Sequence, residues 1–358
     1  MTGNRPVKTP HQTIRTSRWF PAPDSSRTGF ESGYSCVVST PTTISRQQRA
    51  ILWLAALCIA VLNPVMMVRH RQKLGSWPNA GWPRSFTEKL MWRKLFDRNP
   101  SFVTVTDKLT ARSYVAERAP VLPQARLLWV GDSARDIPDV VMAGPAILKT
   151  SNGSGVNFIL ENGRPEREAI ARATRHLVGP AGNRRREEWA YWPIHGRLLA
   201  EELLQLGGNG LPTDLKVYVA GGRACCIWAS DKATGTFVTL DADGTPLPDP
   251  DPQAVLAWSE QLAELVREAA THALPLAAEF DMMRVDFLVT AKGLLAGELT
   301  VYTAGGYEGW QSPEIAAEIA DAWDLRRSWF LRQPRTGMFA LYAEALAAAE
   351  ASRLGLQP

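Results

Sequence analysis

From about residue 86 onward, the apolar and polar positions alternate between the spacing of helices and that of strands. Apolar residues that recur every three or four positions predict amphipathic helices at 86–96, 166–178, 255–270 and 313–323. Short apolar runs predict strands at 127–130, 140–142, 146–149, 158–160 and 197–202. This alternation indicates an α/β (α+β) fold class.

Turns of glycine and polar residues join three pairs of predicted strands. The hairpins are expected at 146–160, at 216–228 around Gly221-Gly222, and at 284–300 around the turn 290–293. Short turns of this kind favour antiparallel neighbours, so we expect antiparallel pairing in each hairpin.

The last of these hairpins places a carboxylate on each of its two strands. Alternate side chains of a strand share one face, so Asp286 projects with Arg284 and Glu298 projects with Thr300. Together Asp286 and Glu298 could hold a hard divalent cation such as Mg²⁺, which prefers oxygen ligands and keeps waters and substrate phosphates in its shell. Carboxylates beside a hairpin are also typical of plain surface charge, and the strands alone leave both interpretations open.

The first hairpin carries candidate anion-binding groups. They are Lys149, Ser151, Gly153, Ser154 and Gly155. Glycine can adopt positive φ and let backbone N–H groups approach an anion, while the serines offer hydroxyl donors and the lysine a positive charge. The spacing is not that of a P-loop, and the chain returns as a strand instead of a helix. A phosphate grip and a simple turn are both consistent with this pattern.

The N-terminal region differs from the rest of the chain. Residues 1–48 are rich in Ser, Thr, Arg and Pro without periodicity, which predicts a disordered tail or sequence upstream of the true start, with Met66 and Met67 as candidate internal starts. Residues 51–68 are uncharged, near the length of a membrane span, and are followed by basic residues. A membrane anchor, a docked or interfacial helix, and mistranslated upstream sequence are the alternatives.

Composition narrows the choice of partners and compartment. The 358 residues, of which 45% are hydrophobic, can bury a sizeable core. The net charge of +4 is mild, and no basic stripe with interleaved aromatic residues suggests nucleic acid. Residues 184–186 are three arginines that predict a solvated loop, with contact to an acidic glycan or phosphate as the alternative. The four cysteines lack CxxC spacing, which indicates a reducing compartment.

Five segments occur in a fixed order within the stretch from residue 73 to about residue 310. They are 106–108 (Thr-Asp-Lys), 148–155, 199–203, 214–218, and the pair Arg-Val-Asp (284–286) and Gly-Glu-Leu-Thr (297–300). Each segment alone is unspecific. Together they resemble the ATP-grasp superfamily, and more narrowly the TupA-like ATP-grasp proteins of bacterial surface-polysaccharide gene clusters, over roughly two thirds of the chain.

The resemblance implies an ATP-grasp fold, in which two α+β subdomains hold ATP between them, here with an N-terminal helical extension. It divides the chain into a tail (1–48), an apolar helix that could anchor in a membrane (49–75), an N-terminal α/β segment (76–145), a lid subdomain (146–205), a metal-binding subdomain (206–330) and a C-terminal helix (331–358).

The same resemblance implies roles for the candidate residues. Lys108 and Lys149 would contact the nucleotide phosphates, and the turn with Ser151, Gly153, Ser154 and Gly155 would close over them. Glu201 and Glu202 would lie at the adenine and ribose end. Lys216 would contact the γ-phosphate, Arg284 the developing acyl phosphate or the acceptor carboxylate, and Asp286 and Glu298 the Mg²⁺ ion. Two alternatives remain: Lys108 as plain surface charge, and Glu201 as a solvated residue with only Glu202 facing the nucleotide.

One position departs from the superfamily pattern. Many ATP-grasp enzymes have asparagine two residues after the metal-binding glutamate, where this chain has Thr300; the TupA-like branch tends to threonine, so we interpret it as branch character. The loop 302–307 that follows resembles the glycine-containing loop of the branch and is expected to shape the acceptor pocket.

The implied function is an ATP- and Mg²⁺-dependent carboxylate-amine ligase. A carboxylate must be activated before an amine can displace its oxygen, and transfer of the ATP γ-phosphoryl group achieves this if cations offset the crowded negative charge. The expected substrates are a carboxylate and an amine linked to a cell-surface polysaccharide or its precursor, in the cytoplasm or at the inner face of the membrane. The alternatives are a phosphotransferase acting on a glycan hydroxyl and a non-catalytic partner of a glycosyltransferase.

Overall fold

The structure, a computed structural model, describes residues 44–153, 155–179, 187–208, 211–310 and 312–356. Most of the predicted tail, Ser154 and the three arginines at 184–186 lie outside the described residues. The described helices are α1 (Arg46–Leu62), α2 (Pro64–Leu74), α3 (Phe86–Phe96), α4 (Ser101–Thr106), α5 (Lys108–Arg118), α6 (Asp139–Ala143), α7 (Arg167–Thr174), α8 (Glu260–Ala277), α9 (Pro313–Ala322), α10 (Trp329–Arg332) and α11 (Gly337–Arg353). The described strands are β1 (Leu127–Gly131), β2 (Ala146–Thr150), β3 (Asn157–Leu160), β4 (Leu198–Glu202), β5 (Asp214–Ala220), β6 (Arg223–Asp231), β7 (Thr236–Leu240), β8 (Met282–Thr290) and β9 (Gly293–Thr300).

These strands form two antiparallel sheets, which confirms the mixed α/β fold class. The small sheet has the order β1-β4-β2-β3 and the large sheet the order β7-β6-β5-β8-β9. All three predicted hairpins are present, as β2 with β3, β5 with β6, and β8 with β9. Because β1 pairs with β4, the small sheet extends beyond the segment 146–205 predicted for the lid.

Alternate residues of the large sheet's strands face opposite sides, so apolar side chains lie in the core and charged side chains lie on the other face. On β5, Leu215 and Val217 point into the main hydrophobic core together with Val266 of α8. Asp214 and Lys216, which alternate with these two residues, point to the opposite face, where they line a cleft. The two-residue period of a strand therefore directs charged side chains to the cleft without placing any of them in the core.

Predicted segment 140–142 is wrong as a strand, because it lies inside helix α6. Pro138 precedes this helix and Asp139 occupies its first turn, and both favour a helix start over an extended strand. Val141 and Met142 pack into the core of the small sheet, whereas Val140 is exposed. The apolar run at 140–142 therefore belongs to a short helix with one buried side, and not to a strand.

Two of the predicted helices have different ends in the structure. The helix predicted at 255–270 begins later, at Glu260, because Ser259 Oγ accepts a hydrogen bond from the Leu262 N–H and caps it, and it continues to Ala277. The helix predicted at 166–178 covers only Arg167–Thr174.

The predicted apolar helix at 49–75 is two helices. Ser45 and Gln48 form a capping box at the start of α1. Leu52 and Ile59 are buried, and α1 packs against α11. After Asn63 the chain bends, and α2 runs at 93° to α1. Within the described residues no single helix is long and apolar enough to cross a membrane, although the bent pair reaches that length and composition.

Helix α3 carries charged side chains into the interior. Lys89 is fully buried, and its Nζ donates to the Ala320 carbonyl at 2.8 Å, while Arg93 pairs with Asp281 at 2.7 Å. Asp97, just after the helix, is buried as well. These partners offset the loss of hydration of the buried charges and attach α3 to α9 and to the start of β8.

Candidate functional site

A cleft of about 480 Å³ between the two sheets brings most of the predicted site residues together, but Ser151, Gly153 and Arg284 are not among its lining residues. We call it the intersheet cleft; its charged lining residues are Lys108, Arg112, Lys149, Glu201, Glu202, Asp214, Lys216, Lys232, Asp286 and Glu298. One end is apolar, because it is lined by the leucines of residues 203–206 and by Leu288. The Gly207 N–H donates to the Val289 carbonyl at 2.9 Å, which holds this segment beside β8. A wider and more open depression of about 630 Å³ at Ile159 and Ala169 contains none of these charged residues. We therefore take the intersheet cleft as the candidate site.

Glu201 is held by two cations from different elements. Lys149 Nζ lies 2.8 Å from its Oε2 and Arg112 Nη1 lies 2.7 Å from its Oε1. Glu201 is buried, so the alternative in which it is solvated is wrong. Glu202, the next residue, is more exposed and accepts a hydrogen bond from the Arg126 N–H at 2.7 Å. Both glutamates line the cleft, and their place at the adenine and ribose end stays a prediction.

Lys108 connects the small sheet to the large one. It begins α5, where Asp107 caps the helix by accepting from the Leu109 N–H. Its Nζ donates to the Gly153 carbonyl at 2.7 Å and pairs with Glu298 Oε1 at 3.1 Å. The interpretation of Lys108 as plain surface charge is therefore wrong.

The β2–β3 turn differs from the prediction in two of its residues. Gly155 has φ of 79° and lines the cleft, as expected. Gly153 does not adopt positive φ; a Cβ there would lie 1.9 Å from Thr150 Oγ1, so glycine is needed for close approach. Ser151 is buried, and its Oγ accepts from the Arg197 N–H at 3.1 Å. Its hydroxyl joins β2 to the start of β4 and is not among the groups that line the cleft.

Arg284 and Asp286 form a bidentate ion pair on the cleft face of β8. Arg284 Nε lies 2.6 Å from Oδ1 and Nη2 lies 2.8 Å from Oδ2, and Nη2 also reaches Thr300 Oγ1 at 3.4 Å. Burial raises the pKa of Asp286 by more than the neighbouring Arg284 guanidinium lowers it. Parallel N–H donors fix both carboxylate oxygens, so the orientation of Asp286 is set by Arg284.

Glu298 is aimed by an irregularity in β9. The register shifts between Val285 and Phe287, so Gly297 and Glu298 together face Asp286. A Cβ on Gly297 would lie 2.6 Å from the Asp286 carbonyl oxygen, which explains the glycine. Burial raises the pKa of the Glu298 carboxyl, but Lys108, Lys149 and Arg284 together lower it by more, so the net pKa lies below its usual value.

Lys216 lies directly opposite Asp286 in the β5–β8 register. Its Nζ pairs with Asp214 at 2.7 Å and stands 4.6 Å from the centre of the Trp228 ring. Lys232 pairs with the same Asp214 oxygen at 3.1 Å. Burial raises the pKa of Asp214, but Lys216, the Ser230 hydroxyl and Lys232 together lower it by more, so Asp214 stays ionised and keeps Lys216 in the cleft.

The donor set is suited to Mg²⁺. Asp286 and Glu298 offer hard oxygen ligands on neighbouring strands, and Glu298 is half exposed towards the cleft. Among the described residues no group of three His, Cys, Asp or Glu side chains could hold a metal ion. Two carboxylates are nonetheless the usual protein share for Mg²⁺ that is bound together with substrate phosphates.

Three residues of the site region were missed by sequence reasoning. Arg112 is one helical turn beyond Lys108 on α5, and the four-residue spacing that puts both on one face could have revealed it. Trp228 and Glu308 give no such signal. Glu308 accepts from the Tyr218 hydroxyl at 2.8 Å, a contact across 90 residues that only the fold creates.

The family model described as "TupA-like ATPgrasp" matches residues 88–321. The chain belongs to the TupA-like ATP-grasp family and is an enzyme of the ATP-grasp class. No curated protein sequence gives a significant match.

Similar solved structures include the ATP-grasp ligase PsnB complexed with a phosphomimetic variant of its minimal precursor, Mg and ADP, at 17% identity over 68% of this chain and 66% of that chain, with a TM-score of 0.36. They also include D-alanine-D-alanine ligase from Helicobacter pylori, at 14% identity over 67% of this chain and 70% of that chain, with a TM-score of 0.41. At these TM-scores the similarities do not bear on the reaction, and the family assignment rests on the sequence match.

Proposed function

We propose that this enzyme is an ATP- and Mg²⁺-dependent carboxylate-amine ligase that modifies a cell-surface polysaccharide or its precursor in the cytoplasm. The observation that carries the proposal is the composition of the intersheet cleft. Lysines from α5, β2 and β5 face the paired carboxylates of β8 and β9, and an apolar end adjoins residues 203–206. The polysaccharide substrate is proposed from the resemblance to proteins of surface-polysaccharide gene clusters.

The cleft offers complementary surroundings for the two halves of ATP. The adenine ring would bind at the apolar end, beside the chain that follows β4. The phosphates would lie between Lys108 and Lys149 from one side and Lys216 from the other. Asp286 and Glu298 would hold Mg²⁺, which would neutralise phosphate charge during transfer. To bind phosphate, Lys149 must share its charge between the ligand and Glu201.

The reaction proposed for this site has two steps. A substrate carboxylate oxygen attacks the γ-phosphorus of ATP and releases ADP, and an amine then attacks the acyl carbon and releases phosphate. Charge accumulates on the transferred oxygens, so fixed cations contribute more than covalent chemistry would. Arg284, oriented by Asp286, and Lys216, oriented by Asp214, are the side chains proposed for this charge.

Nucleotide binding is the first test. Calorimetry on the full chain should give micromolar affinity for Mg-ATP, weakened tenfold or more in Lys149→Ala and in Asp286→Asn/Glu298→Gln. Lys292→Ala is the matched control, because Lys292 is exposed on the β8–β9 turn outside the cleft. If folded wild-type protein does not bind Mg-ATP, the proposal is wrong.

The reaction type needs a second test. With hydroxylamine as a substitute amine and uronic acids as candidate carboxylates, a ligase should release ADP and phosphate and form a hydroxamate. Phosphate retained on a glycan, with no hydroxamate, would favour the phosphotransferase instead. If Mg-ATP binds but Asp286→Asn leaves the cellular phenotype intact, the non-catalytic alternative is favoured.

A further inference from the structure

We propose that the outer face of α1 and α2 docks in the plane of an anionic lipid bilayer. The inner face of α1 is already occupied, because Leu52 is fully buried among side chains of α3, α9 and α11. The outer face is not covered by described residues. Its large apolar side chains are exposed and include Trp53, Leu57, Val61, Leu62 and Val65.

This exposed face is continuous over more than one element. Trp53, Leu57 and Val61 are spaced four residues apart and so lie along one side of α1. Beyond the bend at Asn63-Pro64, Val65 and Val68 continue the apolar surface onto α2. Such contiguous exposure is uncommon on a monomeric soluble protein and marks an interaction surface.

Helix α11 adds to the same region. Ile44, just before α1, shares a small cavity with Ala349 and Arg353 near the end of α11, so the two packed helices run in opposite directions. The start of α11 therefore lies towards the end of α1. Its exposed Met338 and Phe339 enlarge the apolar surface there.

The positive charge at both ends of this face indicates an anionic partner. Residues 32–87 contain no Asp or Glu, whereas Arg46 and Arg49 stand at the start of α1 and Arg71 and Lys73 at the end of α2; Arg69, also on α2, is paired with Glu187. Trp77, which follows α2, is exposed as well. Apolar side chains bordered by cations and tryptophan complement the acyl boundary and anionic headgroups of a bilayer.

The geometry favours docking over spanning. Because Leu52 and Ile59 belong to the core and α2 turns through 93°, α1 cannot enter the bilayer lengthwise without leaving its packing partners. A helix held on the protein surface instead lies parallel to the membrane, with its outer side chains in the headgroup region.

The test is co-sedimentation of the full chain with vesicles of phosphatidylcholine alone or mixed with phosphatidylglycerol. Wild type should bind the mixed vesicles, and Trp53→Ser/Leu57→Ser/Val61→Ser should lose binding. The matched control is Val121→Ser/Val140→Ser/Val255→Ser, three similarly exposed residues elsewhere, and it should bind like wild type. A second variant, Arg46→Gln/Arg49→Gln/Lys73→Gln, should weaken binding to mixed vesicles by about fivefold per charge removed.

Three results would overturn the proposal. Wild type could remain in the supernatant with both vesicle types. Bound protein could resist extraction by alkaline carbonate, which would indicate a spanning segment. The serine variant could abolish a dimer of the wild type in the absence of lipid, which would identify a second copy of the chain as the occupant.

Discussion

At the scale of single residues, Glu201 receives two cations at once, Arg112 and Lys149. The proposed phosphate contact of Lys149 depends on this sharing. With Arg112 in place, Glu201 is already neutralised and Lys149 has charge left for a ligand. In the proposed site, Arg112 would therefore act on the nucleotide through Glu201 and Lys149.

We predict that Arg112→Gln weakens Mg-ATP binding about fivefold to tenfold, because Glu201 then draws Lys149 away from the phosphates. The double variant Arg112→Gln/Glu201→Gln should recover most of the loss, and calorimetry on all four proteins completes the cycle. Losses that simply add in the double variant would show that Arg112 and Glu201 act independently.

Asp97 leads to a prediction about pH and stability. Burial raises the pKa of Asp97 to about 7, and Asp281 contributes in the same direction, although Arg93 and the Phe330 N–H oppose it. The unfolded carboxyl titrates near 3.8, so the folded state binds the extra proton between these values. The contribution of Asp97 to stability therefore falls as pH rises from about 4 to about 7, by at most about 4 kcal/mol.

Asp97→Asn should remove this dependence while keeping the acceptor for the Phe330 N–H, which lies 2.9 Å from Oδ1. Urea unfolding at several pH values measures it: the stability difference between variant and wild type should grow in favour of the variant up to about pH 7 and then stay constant. A difference independent of pH would show that Asp97 is ionised throughout.

At the scale of elements, α1 shows how two leucines of one helix can differ. Leu52 is fully buried, whereas Leu57 is 62% exposed. We predict that Leu52→Ala lowers the free energy of unfolding by about 2–5 kcal/mol, while Leu57→Ala changes it by about 0.5 kcal/mol or less. Chemical denaturation of the two variants is the measurement. Equally small effects would mean that α1 is not packed on the core.

The strand β9 depends on glycine at its irregular position. Gly297→Ala would place a methyl group 2.6 Å from the Asp286 carbonyl oxygen, so the two strands must separate. We expect a loss of about 1–3 kcal/mol of stability together with weaker Mg²⁺-dependent ATP binding, because Glu298 moves with the backbone. Gly144→Ala, with its closest contact at 3.2 Å, is the control. Unchanged nucleotide affinity in Gly297→Ala would contradict this account.

At the scale of the whole molecule, Lys108 bridges the cleft between the β2–β3 turn and Glu298. Lys108→Met should loosen the small sheet relative to the large one and speed amide hydrogen exchange in the β2–β3 hairpin, while the β5–β6 hairpin stays as in wild type. Lys292→Met controls for loss of a lysine. If exchange in the β2–β3 hairpin is unaffected, Lys108 does not restrain it.

The residues of the cleft that could be predicted from the sequence are those whose direction follows from the alternation of side chains along a strand. Asp286 and Glu298 were found because a hairpin with a short turn limits which side chains can meet. Ser151 was misplaced because a hydroxyl near a turn gives no sign of whether it faces the ligand or the neighbouring strand. Glu308 could not be found, since its contact with Tyr218 depends on a loop whose path is set by tertiary packing.

The alternation of β5 and β8 has a consequence for chain length. Lys216 and Asp286 face the cleft because each occupies an alternate strand position next to an apolar residue, Val217 or Phe287, that faces the core. Adding or removing one residue within either strand would turn the lysine or the carboxylate into the apolar layer under α8 and bring a core side chain into the cleft. The cleft face is therefore sensitive to whether the number of inserted or deleted residues is odd or even. An odd change inside these strands should abolish folding and activity together, whereas the turns that lead from β5 to β6 and from β8 to β9 lie outside this constraint.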